Sequence, residues 1–124
     1  MHHSRLTAIA IDSPPASFDA TTRFWRGTFG SRAEDVGDDD DYQTVGNRGG
    51  TTVFVQRIHD GPARIHLDIE TDSIEDEVQR LERLGAKRIR KVHSWWVMED
   101  PAGNAFCVVA PQTDDFPGDA AQWP

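Results

Sequence analysis

The same order of elements, a strand, a helix and then further strands, occurs twice along this chain. In the first half, a strand-like run over residues 6–12 precedes a helical pattern that ends at Gly30. In the second half, residues 65–69 alternate between apolar and polar side chains, as strands do, and a second helical pattern ends at Gly85. The sequence therefore predicts an α+β fold made of two tandem βαβββ modules.

The predicted modules divide a chain of 124 residues, which has the length of one compact domain. Module one covers about residues 5–59, module two covers about residues 63–111, and an acidic tail occupies residues 112–124. Asp72 and Glu75 have the spacing of a capping box and predict the start of the second helix. The remaining predicted strands cover residues 42–45, 51–58, 87–92, 94–99 and 105–110.

Charge and cysteine content narrow the classes of partner. The formal net charge is −8 and the basic residues form no continuous stripe, so the sequence predicts no nucleic-acid partner. Cys107 is the only cysteine, which excludes an intrachain disulfide and is typical of a reducing compartment. The chain starts without an apolar segment of signal-peptide length, and no apolar run has the length of a membrane span. We therefore expect a cytoplasmic protein with no membrane partner.

Four consecutive aspartates occupy residues 38–41. A calcium-binding loop needs oxygen ligands at alternating positions, a glycine turn and a late glutamate. The run lacks that pattern, so it is predicted to be a solvated loop.

Three segments of the second half carry a family resemblance. In order, they read HLDIETD over residues 66–72, LERLGA over residues 81–86 and DPAGNAFCV over residues 100–108. As an ordered set, these segments resemble the glyoxalase-like branch of the vicinal-oxygen-chelate superfamily, which includes glyoxalases, bleomycin-resistance proteins and extradiol dioxygenases. The first half matches more loosely, and the resemblance covers roughly residues 5–111.

The resemblance implies a cup of mixed β-sheet, built by the two modules, with the helices outside. Metal-dependent members of the family place side chains from the first and last strands of each module around a divalent cation, which acts on substrate oxygens as a Lewis acid. Other members lack the metal and bind a drug-like molecule. The positions of this chain that correspond to the metal ligands are Ala8, Gln56, His66 and Cys107.

These four positions form an incomplete set of metal ligands. Ala8 has no ligand atom, whereas Gln56 and His66 offer an amide oxygen and an imidazole nitrogen. Cys107 would favour zinc or a softer metal over magnesium. This chemistry favours loss of the metal, and binding of a divalent metal by His66 and Gln56 is the alternative. A register shift of one residue would turn Val55 instead of Gln56 toward the cup.

Other polar and aromatic side chains are predicted to line the cup. Alternation along the strand that opens module two turns His66, Asp68 and Glu70 toward the cup and its apolar residues toward the helices. Asp68 and Glu70 can serve as acid or base groups, support a ligand, or face solvent. His66 either binds a ligand or forms a hydrogen-bonded part of the cup wall. Trp95 and Trp96 point to opposite faces of their strand, so one can line the cup while the other packs in the core.

The expected function is small-molecule binding by a glyoxalase-like protein that lacks the full metal site of the family, and no cofactor is firmly predicted. A metal-dependent lyase, isomerase or dioxygenase is the alternative, and a non-catalytic interaction module is a third. The resemblance also allows a homodimer. A free cysteine such as Cys107 is more often a small buried apolar residue than a reactive one. The candidate ligand-binding residues are Gln56, His66, Asp68, Trp95, Trp96 and Cys107.

Overall fold

The computed structural model of the chain describes residues 1–31 and 41–124. Most of the four-aspartate run therefore lies outside the described residues. The described chain forms two compact units, one of residues 8–66 and one of residues 1–7 together with 67–124. We call them the 8–66 unit and the terminal unit.

Strands β1 (His2–Ser13) and β4 (Arg64–Thr71) each contribute residues to both units. The 8–66 unit also contains helix α1 (Pro15–Phe29) and the strands β2 (Tyr42–Arg48) and β3 (Thr51–Arg57). β2 runs antiparallel to β3, and β3 runs parallel to the second half of β1. The strands of this unit therefore form a mixed sheet.

Both ends of α1 follow from its sequence. Pro15 occupies the first turn, where a backbone N–H has no partner within the helix. Gly30 adopts the left-handed conformation with a φ of 73°, and its N–H donates to the carbonyl of Arg26. The predicted end of the helix at Gly30 is thus confirmed.

The core of the 8–66 unit lies between α1 and its sheet. The buried residues of this core are Phe18, Val45 and Val55. Ile11 of β1 and Val53 of β3 pack against them. Because side chains alternate along a strand, the residues between these apolar positions point away from α1.

The strands of the terminal unit also combine parallel and antiparallel pairing. β4 pairs in parallel with β7, and β7, β6 and β5 follow one another in antiparallel order. A short strand, β8, pairs antiparallel with the start of β1. The elements of this unit, besides its parts of β1 and β4, are α2 (Ile74–Arg83), β5 (Lys87–Val92), β6 (Trp95–Glu99), β7 (Ala105–Val109) and β8 (Ala121–Trp123).

The core of the terminal unit lies between α2 and strands β6 and β7. Val78 of α2 packs there with Met98 and Val108, and all three side chains are fully buried. Phe106 and Trp96 pack against this core from the same side of the sheet. The other face of β6 and β7 therefore carries the residues between them in sequence.

The tail after residue 111 packs onto the terminal unit and contributes β8. The indole N–H of Trp123 donates to the hydroxyl of Ser4 over 2.9 Å. The guanidinium of Arg80 lies 3.8 Å from the centre of the Trp123 ring, in cation–π geometry. The tail is thus held at its far end by both a strand pairing and an aromatic contact.

The predicted α+β class is confirmed, since the described chain combines two helices with mixed strand pairing. Its first half has the order strand, helix, strand, strand, and its second half has a strand and a helix followed by three strands. The division into tandem βαβββ modules with the limits given above therefore stays a prediction. No described helix combines the length and the apolar character needed to cross a membrane.

The capping box predicted for the second helix is wrong. Ser73 occupies the N-cap position of α2, and its side chain makes no capping hydrogen bond. Asp72 instead accepts hydrogen bonds from the backbone N–H of His3 over 2.7 Å and from its imidazole over 2.8 Å. Glu75 binds the guanidinium of Arg88. Asp72 and Glu75 thus bind residues that are distant in sequence, and neither forms the capping hydrogen bonds that were predicted.

The apolar side chains of β4 are not all covered as predicted. In the terminal unit, α2 packs on β5, β6 and β7, and Leu67 of β4 remains 43% exposed. In the 8–66 unit, α1 packs on β2 and β3, and Ile65 remains 63% exposed. The prediction fails because α1 lies over β2 and β3, and α2 lies over β5, β6 and β7, rather than over β4.

Candidate functional site

Asp12 is the most deeply buried charged residue of the candidate site in the 8–66 unit. It lies near the end of β1, and its side chain is only 2% exposed. Its Oδ2 accepts a hydrogen bond from Nδ1 of His66 over 2.8 Å and lies 3.3 Å from Nε of Arg64. Its Oδ1 is buried and has no hydrogen-bond partner among the described residues. Burial of a carboxylate is costly unless both oxygens find donors, so this site has one unfilled acceptor.

Gln56 lies beside Asp12. The parallel pairing of β1 and β3 places Asp12 directly against Gln56, so the two side chains share one face of the sheet. Val55, the next residue back, is buried on the other face with Phe18 of α1. Gln56 rather than Val55 is therefore the residue of β3 that lies on the face opposite α1.

An apolar strip continues this face away from the polar end. Ala8 and Ala10 precede Asp12 at alternate positions of β1, and Ala10 pairs with Phe54 of β3. The ring of Tyr42 packs against Phe54 with 5.9 Å between ring centres. We use the name Asp12 face for the surface of the 8–66 unit that is formed by Ala8, Ala10, Asp12, Tyr42, Phe54, Gln56 and His66.

In the terminal unit, Asp68 and Cys107 are neighbours. The parallel pairing of β4 and β7 places Asp68 against Cys107, and Cys107 also pairs with Val97 of β6. Val108 packs under α2, so Cys107 lies on the opposite face of the sheet.

Glu70 has a structural environment. Its fully buried carboxylate accepts hydrogen bonds from the guanidinium of Arg5 over 2.8 Å, the hydroxyl of Thr113 over 2.7 Å and the backbone N–H of Gln112 over 2.6 Å. Burial by itself would raise the pKa of Glu70, but these hydrogen bonds hold it below the ordinary value. The glutamate thus joins the tail to the sheet as an anion.

The two adjacent tryptophans lie on opposite faces of β6. Trp96 packs against the core under α2, and the guanidinium of Arg88 lies 5.1 Å from its ring centre. Trp95 has the other orientation, and its ring lies 5.4 Å from the imidazole of His93. Trp96 therefore does not share the face of Cys107, whereas Trp95 does.

Asp12 is the site residue that sequence reasoning missed. The family resemblance places a metal ligand of β1 at Ala8, which has no ligand atom. Alternation along β1 places Asp12 four positions later on the same face as Ala8. A search of the predicted strand for polar residues in phase with Ala8 would have found it.

A divalent metal, as the family implies, meets a mixed set of donors. Asp12 holds Nδ1 of His66, which directs the other ring nitrogen, Nε2, to any metal, as in carboxylate–histidine–metal arrangements. The guanidinium of Arg64 brings a positive charge to the same carboxylate. As ligand types, imidazole, carboxylate and the thiol of a residue such as Cys107 suit zinc better than magnesium. The chain therefore has ligand types for zinc but not the ligand set that the resemblance implies.

Comparison with known proteins agrees with the resemblance. The family model described as a glyoxalase-like domain matches residues 8–109. Among solved structures, the chain is similar to a glyoxalase/bleomycin resistance protein/dioxygenase family enzyme from Burkholderia phytofirmans PsJN. That match has 15% sequence identity and a TM-score of 0.35, and it covers 85% of this chain and 98% of the other. No curated protein matches the chain.

Proposed function

The chain belongs to the glyoxalase-like branch of the vicinal-oxygen-chelate superfamily, and from this premise we propose that it binds a small organic molecule on the Asp12 face. One observation carries the proposal: a buried carboxylate with an unfilled acceptor lies at the end of an apolar strip. Ligand sites in proteins combine these two features, since apolar walls supply affinity and a few placed polar groups fix orientation.

The apolar strip suits a flat ligand. Ala8 and Ala10 are themselves buried and form the floor of the strip, so a ligand would contact its aromatic members. Phe54 and the partly exposed Tyr42 offer aromatic edges and faces to such a molecule. Gln56 and His66 supply the hydrogen-bonding groups beside Asp12.

A fragment screen by NMR tests the proposal. Aromatic fragments of about ten non-hydrogen atoms are expected to bind with dissociation constants on the order of millimolar, which ligand titrations of an amide spectrum detect. Shifts should concentrate on the amides of β1 and β3 around Asp12 and Gln56. His66→Ala should weaken the hits, whereas His59→Ala, at an exposed position of the same unit, should not. Hits that map elsewhere, or a library without hits, would contradict the proposal.

A metal-assisted lyase, isomerase or dioxygenase is the second candidate. The hydrogen bond from His66 to Asp12 favours it, because such a bond orients metal-ligating histidines. His66 and Gln56, both in the 8–66 unit, would hold the ion. When bound, the metal would polarise a substrate oxygen as a Lewis acid.

Thermal unfolding of metal-stripped protein against a panel of divalent ions separates the two candidates. An ion at 100 times its dissociation constant adds about 2.7 kcal/mol to the free energy of unfolding. An upward shift with zinc that disappears in His66→Ala and persists in His59→Ala would establish the metal site. No shift with any ion would leave the Asp12 face as an organic-ligand site.

Three further expectations accompany the proposed function. We propose that the chain keeps the tandem βαβββ organisation of its family, acts in the cytoplasm and forms a homodimer. Light scattering coupled to size-exclusion chromatography tests the dimer, because a monomer would elute with a mass of 13.9 kDa. Whether the bound molecule is also transformed is decided by product analysis of the fragment hits.

A further inference from the structure

The unfilled oxygen of Asp12 also narrows the chemistry of the ligand. Building on the proposed function, we infer that the ligand presents a neutral N–H or O–H donor, such as an amide or a hydroxyl, to Oδ1 of Asp12. Molecules without a hydrogen-bond donor are thereby excluded as ligands, and molecules with a full positive charge are expected to bind more weakly. The inference rests on the burial of Asp12 and on the two groups that already contact its other oxygen.

A carboxylate oxygen only accepts hydrogen bonds, so its partner has to be a donor. Oδ2 of Asp12 already contacts Nδ1 of His66 and Nε of Arg64. Oδ1 has no partner among the described residues and is shielded from bulk water. A buried acceptor without a donor weakens the fold, and a ligand that supplies the donor recovers that loss as binding free energy.

The charges around Asp12 favour a neutral donor. Arg64 lies 3.3 Å from the carboxylate and neutralises it, although the guanidinium is itself 44% exposed. A second full cation at Oδ1 would therefore meet the positive charge of Arg64 at short range. Arg57, the residue after Gln56, places its guanidinium over the ring of Phe18 in α1 and not beside Asp12. A neutral amide or hydroxyl gains the hydrogen bond without that repulsion.

The shielding of Oδ1 sets a condition on how the donor arrives. The side chain registered with Asp12 on the same face is Gln56, which is long, flexible and partly exposed. Ala10, two positions before Asp12, is fully buried and leaves no open route on that side. In this inference the donor therefore enters at the partly exposed Gln56, whose side chain turns aside.

Three related probes test the inference: benzamide, N,N-dimethylbenzamide and benzamidine. The first is a neutral donor, the second has no donor, and the third is a cationic donor at neutral pH. Each is titrated into wild-type protein and followed by the amide shifts of β1 and β3. Benzamide should bind at least about tenfold more tightly than N,N-dimethylbenzamide, as expected for a hydrogen bond to a charged acceptor. It should also bind more tightly than benzamidine.

Substitution at Asp12 completes the test. In Asp12→Asn a tenfold preference for benzamide over N,N-dimethylbenzamide should fall to about threefold, because a hydrogen bond to a neutral acceptor is roughly half as strong. Asp19→Asn removes the same charge from an exposed position of α1 and should leave the preference unchanged. If Asp12→Asn does not fold, the three wild-type titrations decide.

The outcomes separate the inference from the proposed function. Equal binding of all three probes overturns the donor requirement and leaves small-molecule binding in place. Tightest binding of benzamidine overturns the neutral class. Absence of benzamide binding, with other fragments still bound at the Asp12 face, also overturns the inference. A face that binds neither these probes nor any fragment removes the proposed function as well.

Discussion

The hydrogen bond between Asp12 and His66 decides which nitrogen of the neutral imidazole carries the proton. A carboxylate accepts only, so Nδ1 of His66 is the donor in their 2.8 Å contact. A histidine so held presents Nε2 as its acceptor or ligand atom, which both candidate functions need. Ala8 drew attention in the sequence because the family places a ligand there, whereas the role of Asp12 depends on a neighbour that is 54 positions away.

We predict that neutral His66 carries its proton on Nδ1 in the wild-type protein. In Asp12→Ala the acceptor is gone, so the ring should change to the Nε2–H form that is commoner in free histidine. Long-range proton–nitrogen NMR spectra distinguish the two forms directly. His59 in the same spectra is the internal control, because its exposed ring should not change with the substitution. An Nε2–H form of His66 in the wild type would refute the orienting role of Asp12.

At the scale of elements, the tail is the segment whose structure was hardest to predict from amino-acid composition. The sequence identified residues 112–124 only as an acidic tail, and residues 121–123 form β8. Arg5 explains part of this order, since its guanidinium binds Asp115 over 2.7 Å and Asp119 over 2.6 Å. A three-residue strand is too short to be recognised from side-chain alternation, and its partners lie at the opposite end of the chain.

Trp123 is predicted to hold the tail in place. Trp123→Ala removes the contact with Arg80 and the hydrogen bond to Ser4, and should lower the free energy of unfolding by about 1–3 kcal/mol. Trp123→Phe keeps an aromatic ring but has no N–H donor, so its effect should be smaller. Hydrogen exchange of the tail amides and chemical denaturation measure the two effects. Equal protection of the tail in wild type and Trp123→Ala would show that β8 does not depend on this side chain.

The elements that could be predicted from the sequence are those that depend on interactions between residues close together in the chain. The α1 end at Gly30 and the strand of residues 87–92 agree with the sequence, because glycine conformation and alternation act over a few residues. The capping box failed because Asp72 binds His3 rather than the helix next to it. Coverage of β4 failed because alternation identifies an apolar face without saying which helix lies over it, as Leu67 illustrates.

At the scale of the whole molecule, two buried carboxylates make the stability of the chain depend on pH. Glu70 is bound by Arg5, Thr113 and the Gln112 backbone, whereas Glu77 is bound by Arg80 over 2.7 Å and by His2 over 2.8 Å. For both carboxylates, burial raises the pKa, but their hydrogen bonds outweigh it and hold the pKa below the ordinary value.

The direction of the pH effect follows from these lowered pKa values. A carboxylate whose pKa is lower in the folded than in the unfolded chain stabilises the fold fully above the unfolded pKa, about 4.3 for glutamate. That contribution is lost as the pH falls through the folded pKa. The urea midpoint of the wild type should therefore fall as the pH is lowered from about 5 toward 3.

Glu70→Gln should lower the free energy of unfolding at pH 7 by about 1–3 kcal/mol, because hydrogen bonds to a charged group are replaced by weaker ones. It should also flatten the decline below pH 5, since the substituted side chain binds no proton in either state. Asp19→Asn, at an exposed position of α1 beyond its first turn, should change neither the midpoint at pH 7 nor the slope. A decline in Glu70→Gln as steep as that of the wild type would assign the acid sensitivity to Glu77 or to other carboxylates. The double variant with Glu77→Gln then distinguishes these two cases, because it removes both buried anions from the terminal unit.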